Sequence, residues 1–341
     1  MNGLPDRVLD HLCQVVDWPD LSATKYEPIE KIGQGGMASV YRAHDRELDR
    51  PVAIKVLNDL QAEPSARTRM LEEARIISRL EHPGIVPVHD SGILPDGRIY
   101  FAMKLVQGKR LDEHTQPDMP LTDLLGVFEK ICQTVAFAHA HSVVHRDLKP
   151  QNIMVGPFGE VLVMDWGVAK RVALIANRQE PDPCRHSPMS LGNKNTVHGA
   201  VLGTPGYMAP EQIQGDVSRI DYRTDICGLG GVLYFLLTRR PPRDLQQGNH
   251  PDVVLPRHWN RSIPRPLEAI CLKALAASPD ARYATVGDLI QDIDCFLAKK
   301  KVQAYPERFF APVARFVSKY RAAIVLILAY LAMRLVLLLL S

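Results

Sequence analysis

His145-Arg146-Asp147-Leu148-Lys149-Pro150-Gln151-Asn152 is the stretch on which the reading of this chain turns. Asp147, Lys149 and Asn152 place a candidate base, a cation and an oxygen ligand within six residues, just before the apolar Ile153-Met154-Val155. Eighteen residues after Asp147 stands Asp165-Trp166-Gly167, closing the apolar run Val161-Leu162-Val163-Met164. A carboxylate at a strand end before a glycine turn can bind a metal, and magnesium takes few protein ligands, often one or two carboxylates beside phosphates. An isolated Asp-Trp-Gly would more often be only a turn. Its occurrence in order with the first cluster argues against that.

Working upstream, Gly33-Gln34-Gly35-Gly36-Met37-Ala38-Ser39-Val40 follows a strand-like segment. Glycines let backbone N–H groups approach a phosphate closely. By itself the pattern fits a plain hairpin equally well, and no Gly-Lys-Ser/Thr follows, which excludes a Walker-type phosphate loop. Next comes Val52-Ala53-Ile54-Lys55-Val56. Strand alternation puts Val52, Ile54 and Val56 on one face and Ala53 with Lys55 on the other, a small residue beside a cation. Read alone, Lys55 could be a surface lysine on an edge strand. Glu73, in the helical pattern that follows, is a carboxylate able to hold Lys55, although such residues usually end on a solvated helix face.

The coarse pattern is α+β. Strands are expected over 26–31, 38–45, 51–57, 85–90 and 98–105, with one helix over about 65–80. Helices are expected over 121–141, 225–237, 266–276 and 285–297, giving a small sheet lobe, a larger helical lobe and a cleft between them. Residues 173–200, polar and holding Pro181, Pro183 and Pro188, read as a mobile loop.

The order of glycine-rich loop, Val52-Ala53-Ile54-Lys55, Glu73, His145-Arg146-Asp147, Asn152, Asp165-Trp166-Gly167 and Ala209-Pro210-Glu211 resembles the protein-kinase signature set. More narrowly it resembles the bacterial eukaryotic-like Ser/Thr kinases, through Gly35-Gly36-Met37 and Gly203-Thr204-Pro205-Gly206-Tyr207-Met208-Ala209-Pro210-Glu211-Gln212. The resemblance implies a bilobal kinase fold over about 26–298, with the N-lobe near 26–106 and the C-lobe near 107–298. It implies that Gly33, Gly35 and Gly36 lie over the ATP phosphates and that Val40 and Ala53 sandwich the adenine. Ile32 and Met154 belong to the same ATP-facing set, Met103 is the gatekeeper, and the backbone of Lys104 and Val106 meets the adenine edge. Lys55 contacts phosphates and pairs with Glu73; Asn152 and Asp165 hold Mg2+, or Mn2+ in its place. Asp147 accepts the substrate hydroxyl proton and Lys149 stabilises the transferring group. Thr204 shapes the substrate-docking loop, Glu211 and Arg282 form a buried pair beneath it, and Asp225 braces the catalytic loop. Arg146 implies control by loop phosphorylation, with Thr196 the leading site and Ser187 and Ser190 behind it. Ala38 at the third glycine, Trp166, Lys104 and Cys227-Gly228 depart from the common pattern without removing a catalytic group.

Outside the domain, 46% apolar and 23% charged residues describe an ordinary globular chain and exclude a disordered one. The net charge of +3 rests on residues 299–321, with seven Lys or Arg against one Glu. The body before it is mildly acidic, which disfavours a nucleic-acid partner. Six cysteines without CxxC spacing argue against structural zinc and suit a reducing compartment. Residues 1–25 form an N-terminal extension with no secretion signal. Residues 322–340 form an apolar run broken only by Arg334, about 28 Å long as a helix and close to the ~30 Å hydrocarbon thickness. Its basic flank of Arg315, Lys319 and Arg321 predicts a single-pass transmembrane helix with the kinase domain cytoplasmic and 299–321 as a juxtamembrane linker.

The expected activity is transfer of the ATP γ-phosphoryl group to Ser/Thr hydroxyls of proteins, including its own, with a homodimer as a route to trans-phosphorylation. A pseudokinase scaffold and a small-molecule phosphotransferase are the competing classes.

Overall fold

Along residues 38–45 every second position from Ser39 to Asp45 is buried, whereas from Val52 to Leu57 burial is nearly continuous, as in a strand covered on both faces. The computed structural model describes residues 18–35, 37–58, 64–116, 118–166, 170–171, 205–243 and 253–305. In chain order the first lobe holds β1 (Tyr26–Gln34), β2 (Ala38–Asp45), β3 (Arg50–Leu57), α1 (Pro64–Ile77), β4 (Val88–Ile93) and β5 (Ile99–Lys104). Its five strands run in the order β1-β2-β3-β5-β4, every neighbouring pair antiparallel. Val52, Ile54 and Val56 enter a cluster on one face with Tyr26, Tyr41 and Tyr100. The other face is covered by α1, whose Ala66, Met70 and Ala74 pack on Leu57, Ile99 and Phe101. Residues ahead of β1 also belong to this lobe: Leu21 is buried, and Trp18 stands edge-on to Tyr41 at 5.4 Å.

Sequence periodicity places a strand at 85–90, whereas β4 begins at Val88. Pro87 has no N–H to donate to a ladder, so the strand starts after it. Ile85 is used elsewhere: it bridges Val163 in parallel, and Val163 N–H donates to the Gly84 carbonyl at 2.8 Å, joining the two lobes.

The second lobe contains β6 (Lys109–Arg110), α2 (Leu111–His114), α3 (Leu121–Ala140), β7 (Val143–Val144), β8 (Ile153–Val155), β9 (Val161–Val163) and β10 (Lys170–Arg171). It continues with α4 (Pro210–Ile213), α5 (Tyr222–Thr238), α6 (Pro256–Trp259), α7 (Arg265–Ala274) and α8 (Val286–Leu297). Leu124, Phe128, Ile131, Val135 and Ala138 recur at helical spacing and turn one face of α3 into the core. Helix α5 is buried from Thr224 to Leu237, the fate of a helix apolar all round. Its start is capped by Asp221, which accepts from Arg223 N–H at 2.7 Å. Thr285 and Asp288 form a reciprocal capping box that starts α8.

Beyond α8 the chain turns back. Buried Asp292 accepts from the Tyr283 hydroxyl at 2.8 Å and from the backbone N–H groups of Gln303 and Ala304 at 2.7 and 3.0 Å. The first residues of the basic stretch thus pack on the helical lobe. Among the described residues no helix is long and apolar enough to cross a membrane, and the run 322–340 lies outside them.

Candidate active site

Lys55 projects from β3 toward α1, where Glu73 receives it through both carboxylate oxygens at 2.7 and 2.8 Å. Asp165 stands 3.5 Å away on the other side of the ammonium. Burial works against the Lys55 charge, but the two carboxylates outweigh it and raise its pKa, so it stays an ammonium. Burial likewise opposes ionisation of Asp165, while Lys55 holds its pKa below the ordinary carboxylate value. Asp165 has φ of 59°, a left-handed conformation uncommon for a non-glycine residue. Trp166 follows it, fully buried, with its indole N–H on the Val163 carbonyl at 3.1 Å and its ring 4.6 Å from that of His145. The larger ring in place of the usual Phe therefore packs inward.

The loop between β7 and β8 gathers the second group. Lys149 Nζ lies 2.7 Å from Asp147 Oδ2. Asn152 donates its amide to the Asp147 carbonyl at 2.8 Å and to Asp147 Oδ2 at 3.0 Å. Beneath them Asp225 on α5 accepts the backbone N–H groups of His145 and Arg146 at 2.8 and 2.7 Å and meets His139 Nε2 at 2.8 Å. Burial raises the Asp225 carboxyl, and the His139 contact with these donors more than reverses that, leaving it below its ordinary value. His145 also meets the Met164 carbonyl at 3.0 Å, tying this loop to the residue before Asp165. Arg146 has φ of 72°. Gly228 explains the departure at Cys227-Gly228: a Cβ there would lie 2.9 Å from Leu148 Cβ, so glycine lets α5 approach the loop.

On the nucleotide-facing side, Gly35 N–H donates to the Ala38 carbonyl at 2.8 Å, closing the turn between β1 and β2. Asn58 pins that turn. Its amide donates to the Gly35 carbonyl at 3.0 Å, Ser39 donates to its side-chain oxygen at 2.6 Å, and its own N–H reaches the Met37 carbonyl. Gly33 pairs with Val40, Val40 with Lys55, and Ala53 with Met103 across neighbouring strands. Ile32 is exposed, Ala53 buried, and Val40, Met103, Val106 and Met154 half-buried. The Lys104 N–H is committed to the Pro87 carbonyl at 3.1 Å, so a hinge contact by Lys104 must use its own carbonyl. Gly36 lies outside the described residues.

The segment after 204 is fastened from below. Arg282 grips Glu211 with two bonds of 2.8 Å, and Thr224 donates to the same carboxylate at 2.9 Å. The remaining guanidinium hydrogens reach the carbonyls of Arg223, Ala276 and Ala277. Such full satisfaction is what makes a buried ion pair tolerable. Gln212 adds a link that sequence reading missed, donating to the Arg146 carbonyl at 2.6 Å. Thr196, Thr204, Ser187 and Ser190 lie outside the described residues.

Among the described residues no group of three or more His, Cys, Asp or Glu side chains could hold a metal by itself. Asp165 supplies an ionised carboxylate, and Asn152, whose amide nitrogen is occupied by Asp147, can offer its oxygen. The Met164 N–H bond to the Asn152 carbonyl, 2.7 Å, keeps the two strands adjacent. One carboxylate and one amide oxygen suit a divalent cation that fills its shell with water and phosphate, as magnesium does.

A sheet lobe and a helical lobe that present a Lys–Glu pair, a carboxylate beside it and an Asp–Lys–Asn loop define a protein kinase domain. The chain belongs to the protein kinase family, whose domain model matches residues 26–291. Its relatives are bacterial eukaryotic-like Ser/Thr kinases. Serine/threonine-protein kinase PknD of Chlamydia trachomatis is 37% identical over 306 residues, covering 80% of this chain and 32% of that protein. Serine/threonine-protein kinase PknB of Mycolicibacterium smegmatis is 36% identical over 288 residues, covering 81% and 43%. The chain thus spans about a third of the length of the first of these relatives. The crystal structure of the Mycobacterium tuberculosis PknI kinase domain superposes with a TM-score of 0.59 at 23% identity, covering 80% of this chain and 96% of that one, a likeness of fold.

Proposed function

We propose that this chain is a protein Ser/Thr kinase that transfers the γ-phosphoryl group of Mg-ATP to hydroxyls of protein substrates and of itself. The observation that carries the reading is the intact chain of contacts from Glu73 through Lys55 to Asp165, set beside Asp147 with Lys149 and Asn152. Asp147 orients the attacking hydroxyl and takes its proton as the new O–P bond forms and the β–γ bridging bond breaks, leaving ADP. No base stronger than an ordinary carboxylate is needed there, because the proton leaves late in a loose transition state. Lys55 and Lys149 offset phosphate charge in place, without reorganising during reaction. Magnesium, held by Asn152 and Asp165 when bound, would neutralise further charge on the phosphates.

Three finer points belong to the same proposal. The apolar run 322–340 and its basic flank support a membrane anchor with the domain on the cytoplasmic side. Arg146 and Thr196 support activation by phosphorylation of the loop before Thr204. A homodimer would let one copy phosphorylate the other.

Intact mass of the purified chain after incubation with Mg-ATP, beside the Asp147→Asn variant, tests the activity. Phosphate steps in the wild type alone are expected. Equal spectra for the two proteins, together with no transfer to a generic Ser/Thr protein, would remove the kinase reading in favour of a scaffold. Turnover on a small metabolite alone would point to the third class. Fragment mapping decides Thr196, and carbonate-resistant retention in membranes that is lost with residues 322–340 decides the anchor.

A further inference from the structure

A groove of about 430 Å³ opens on the helical lobe between α2, the catalytic loop and the end of α5, lined by Asp112, Thr115, Gln151, Tyr207, Phe235 and Arg239. It is close to the chemistry: Gln151 lies between Lys149 and Asn152, and Tyr207 also borders the small space beside Asp147. Most polar atoms of the groove are already engaged. Both Asp112 oxygens receive Arg110, at 3.1 and 3.0 Å, and one also receives the Gln151 amide at 3.3 Å. Thr115 donates to the Leu111 carbonyl at 2.7 Å. Two atoms are left, buried and without a hydrogen-bond partner among the described residues: Arg239 Nη1 and Gln151 Oε1.

Charge makes the groove one-sided. The Asp112 carboxylate is covered by the Arg110 guanidinium, which also reaches Glu113 at 3.2 Å, whereas among the described residues Arg239 meets only a carbonyl, that of Gln116, through Nη2. Its neighbours repeat the pattern. Arg240 lies over the Trp259 ring at 4.2 Å, and Arg243 donates to the Met208 carbonyl at 2.9 Å. None of these contacts neutralises a charge, and burial already bears on the Arg239 guanidinium, lowering its pKa. The backbone adds a separate indication. Arg239 ends α5 at φ of 62° and ψ of 21°, the left-handed cap that glycine takes without a Cβ penalty. An arginine stands at a position where glycine is easier, with its side chain on the groove wall.

We infer that this groove selects protein substrates bearing an acidic side chain near the phosphoacceptor Ser or Thr, read by Arg239. The inference rests on the kinase reading above and deepens it. A carboxylate entering between Tyr207 and Phe235 would supply the charged acceptor that Nη1 lacks. A charge-assisted bond in a partly desolvated site is worth roughly tenfold or more in affinity.

The test uses the full 341-residue chain and a set of peptides with one Ser acceptor, carrying Glu or its amide counterpart Gln at each flanking position in turn. At one position close to the acceptor, kcat/KM for the Glu peptide should exceed that for the Gln peptide by about tenfold. In Arg239→Gly, a change the backbone conformation favours, that ratio should fall to about one. In Arg239→Glu the preference should pass to a Lys peptide. Binding of peptides with Ala at the acceptor, followed by fluorescence anisotropy, should show the same dependence without turnover. Equal rates for Glu and Gln peptides at every position, or an acidic preference that persists in Arg239→Gly, overturns the inference and leaves the kinase reading standing. Failure to phosphorylate any peptide, with no mass gain on Mg-ATP, removes both.

Discussion

Asn152 holds Asp147 at two points, donating one amide group to both its carbonyl and its carboxylate, at 2.8 and 3.0 Å. The residue expected to meet the cation therefore also positions the expected base. The two roles can be separated. Asn152→Asp keeps an oxygen for the metal but removes both donations and sets a second carboxylate against the first. Two lost bonds of about 1 kcal/mol each correspond to roughly 10- to 100-fold in rate. Single-turnover phosphorylation at saturating magnesium should fall by that amount. A wild-type rate at saturating magnesium, with loss only when magnesium is limiting, would mean that Asn152 acts through the cation alone.

Glu211 and Arg282 should matter for folding more than for chemistry. Removing one member of a buried, hydrogen-bonded pair leaves the other charge uncompensated and costs about 3–5 kcal/mol. Glu211→Gln should lower stability to urea by that order. A double change to Glu211→Gln with Arg282→Met should recover part of the loss. A Glu211→Gln chain as stable as wild type would show that the pair contributes nothing net.

Asp225 gives a pH prediction. Its folded pKa lies below the ordinary 3.8, burial being outweighed by His139 and the Arg146 N–H. A carboxyl depressed on folding contributes stability that is present above its unfolded pKa and lost as pH falls through the folded one, because the unfolded chain then binds more protons. Melting temperatures should therefore drop below about pH 4 in the wild type. In Asp225→Asn, already less stable at neutral pH, the acid limb should be shallower. Parallel acid limbs in the two proteins would mean that Asp225 is not depressed by folding.

The residues legible in the sequence are those whose identity is their chemistry. Lys55, Glu73, Asp147, Asn152 and Asp165 were expected to meet in one site, and the described geometry sets Lys55 between Glu73 and Asp165 and Asn152 against Asp147. The faces of β3 and the inward side of α3 follow from periods of two and 3.6. The residues that escaped act by proximity. Gln212, His139 and Asn58 are ordinary polar residues until a fold brings them to a particular carbonyl or carboxylate. Gly228 matters only because α5 passes so near Leu148. The displaced start of β4 had a visible cause in Pro87, whereas the apolar run around it pointed to a strand through that residue.

Asn58 offers the sharpest check on a residue that no motif names. It sits just past β3, the strand of Lys55, and fastens both sides of the glycine turn through the Gly35 carbonyl and Ser39. Asn58→Ala removes both side-chain bonds while leaving Lys55, Glu73 and Asp165 untouched. A turn freed in this way must be ordered again each time nucleotide binds, and two neutral bonds of about 1 kcal/mol each set the scale of that penalty. KM for ATP should rise on the order of tenfold, with kcat reduced less, because the groups that act on the transferring phosphoryl keep their places. If kcat falls as much as kcat/KM while KM for ATP is unchanged, the turn acts in the transition state only. Asn58 would then belong with the positioning of the γ-phosphate and not with the capture of nucleotide.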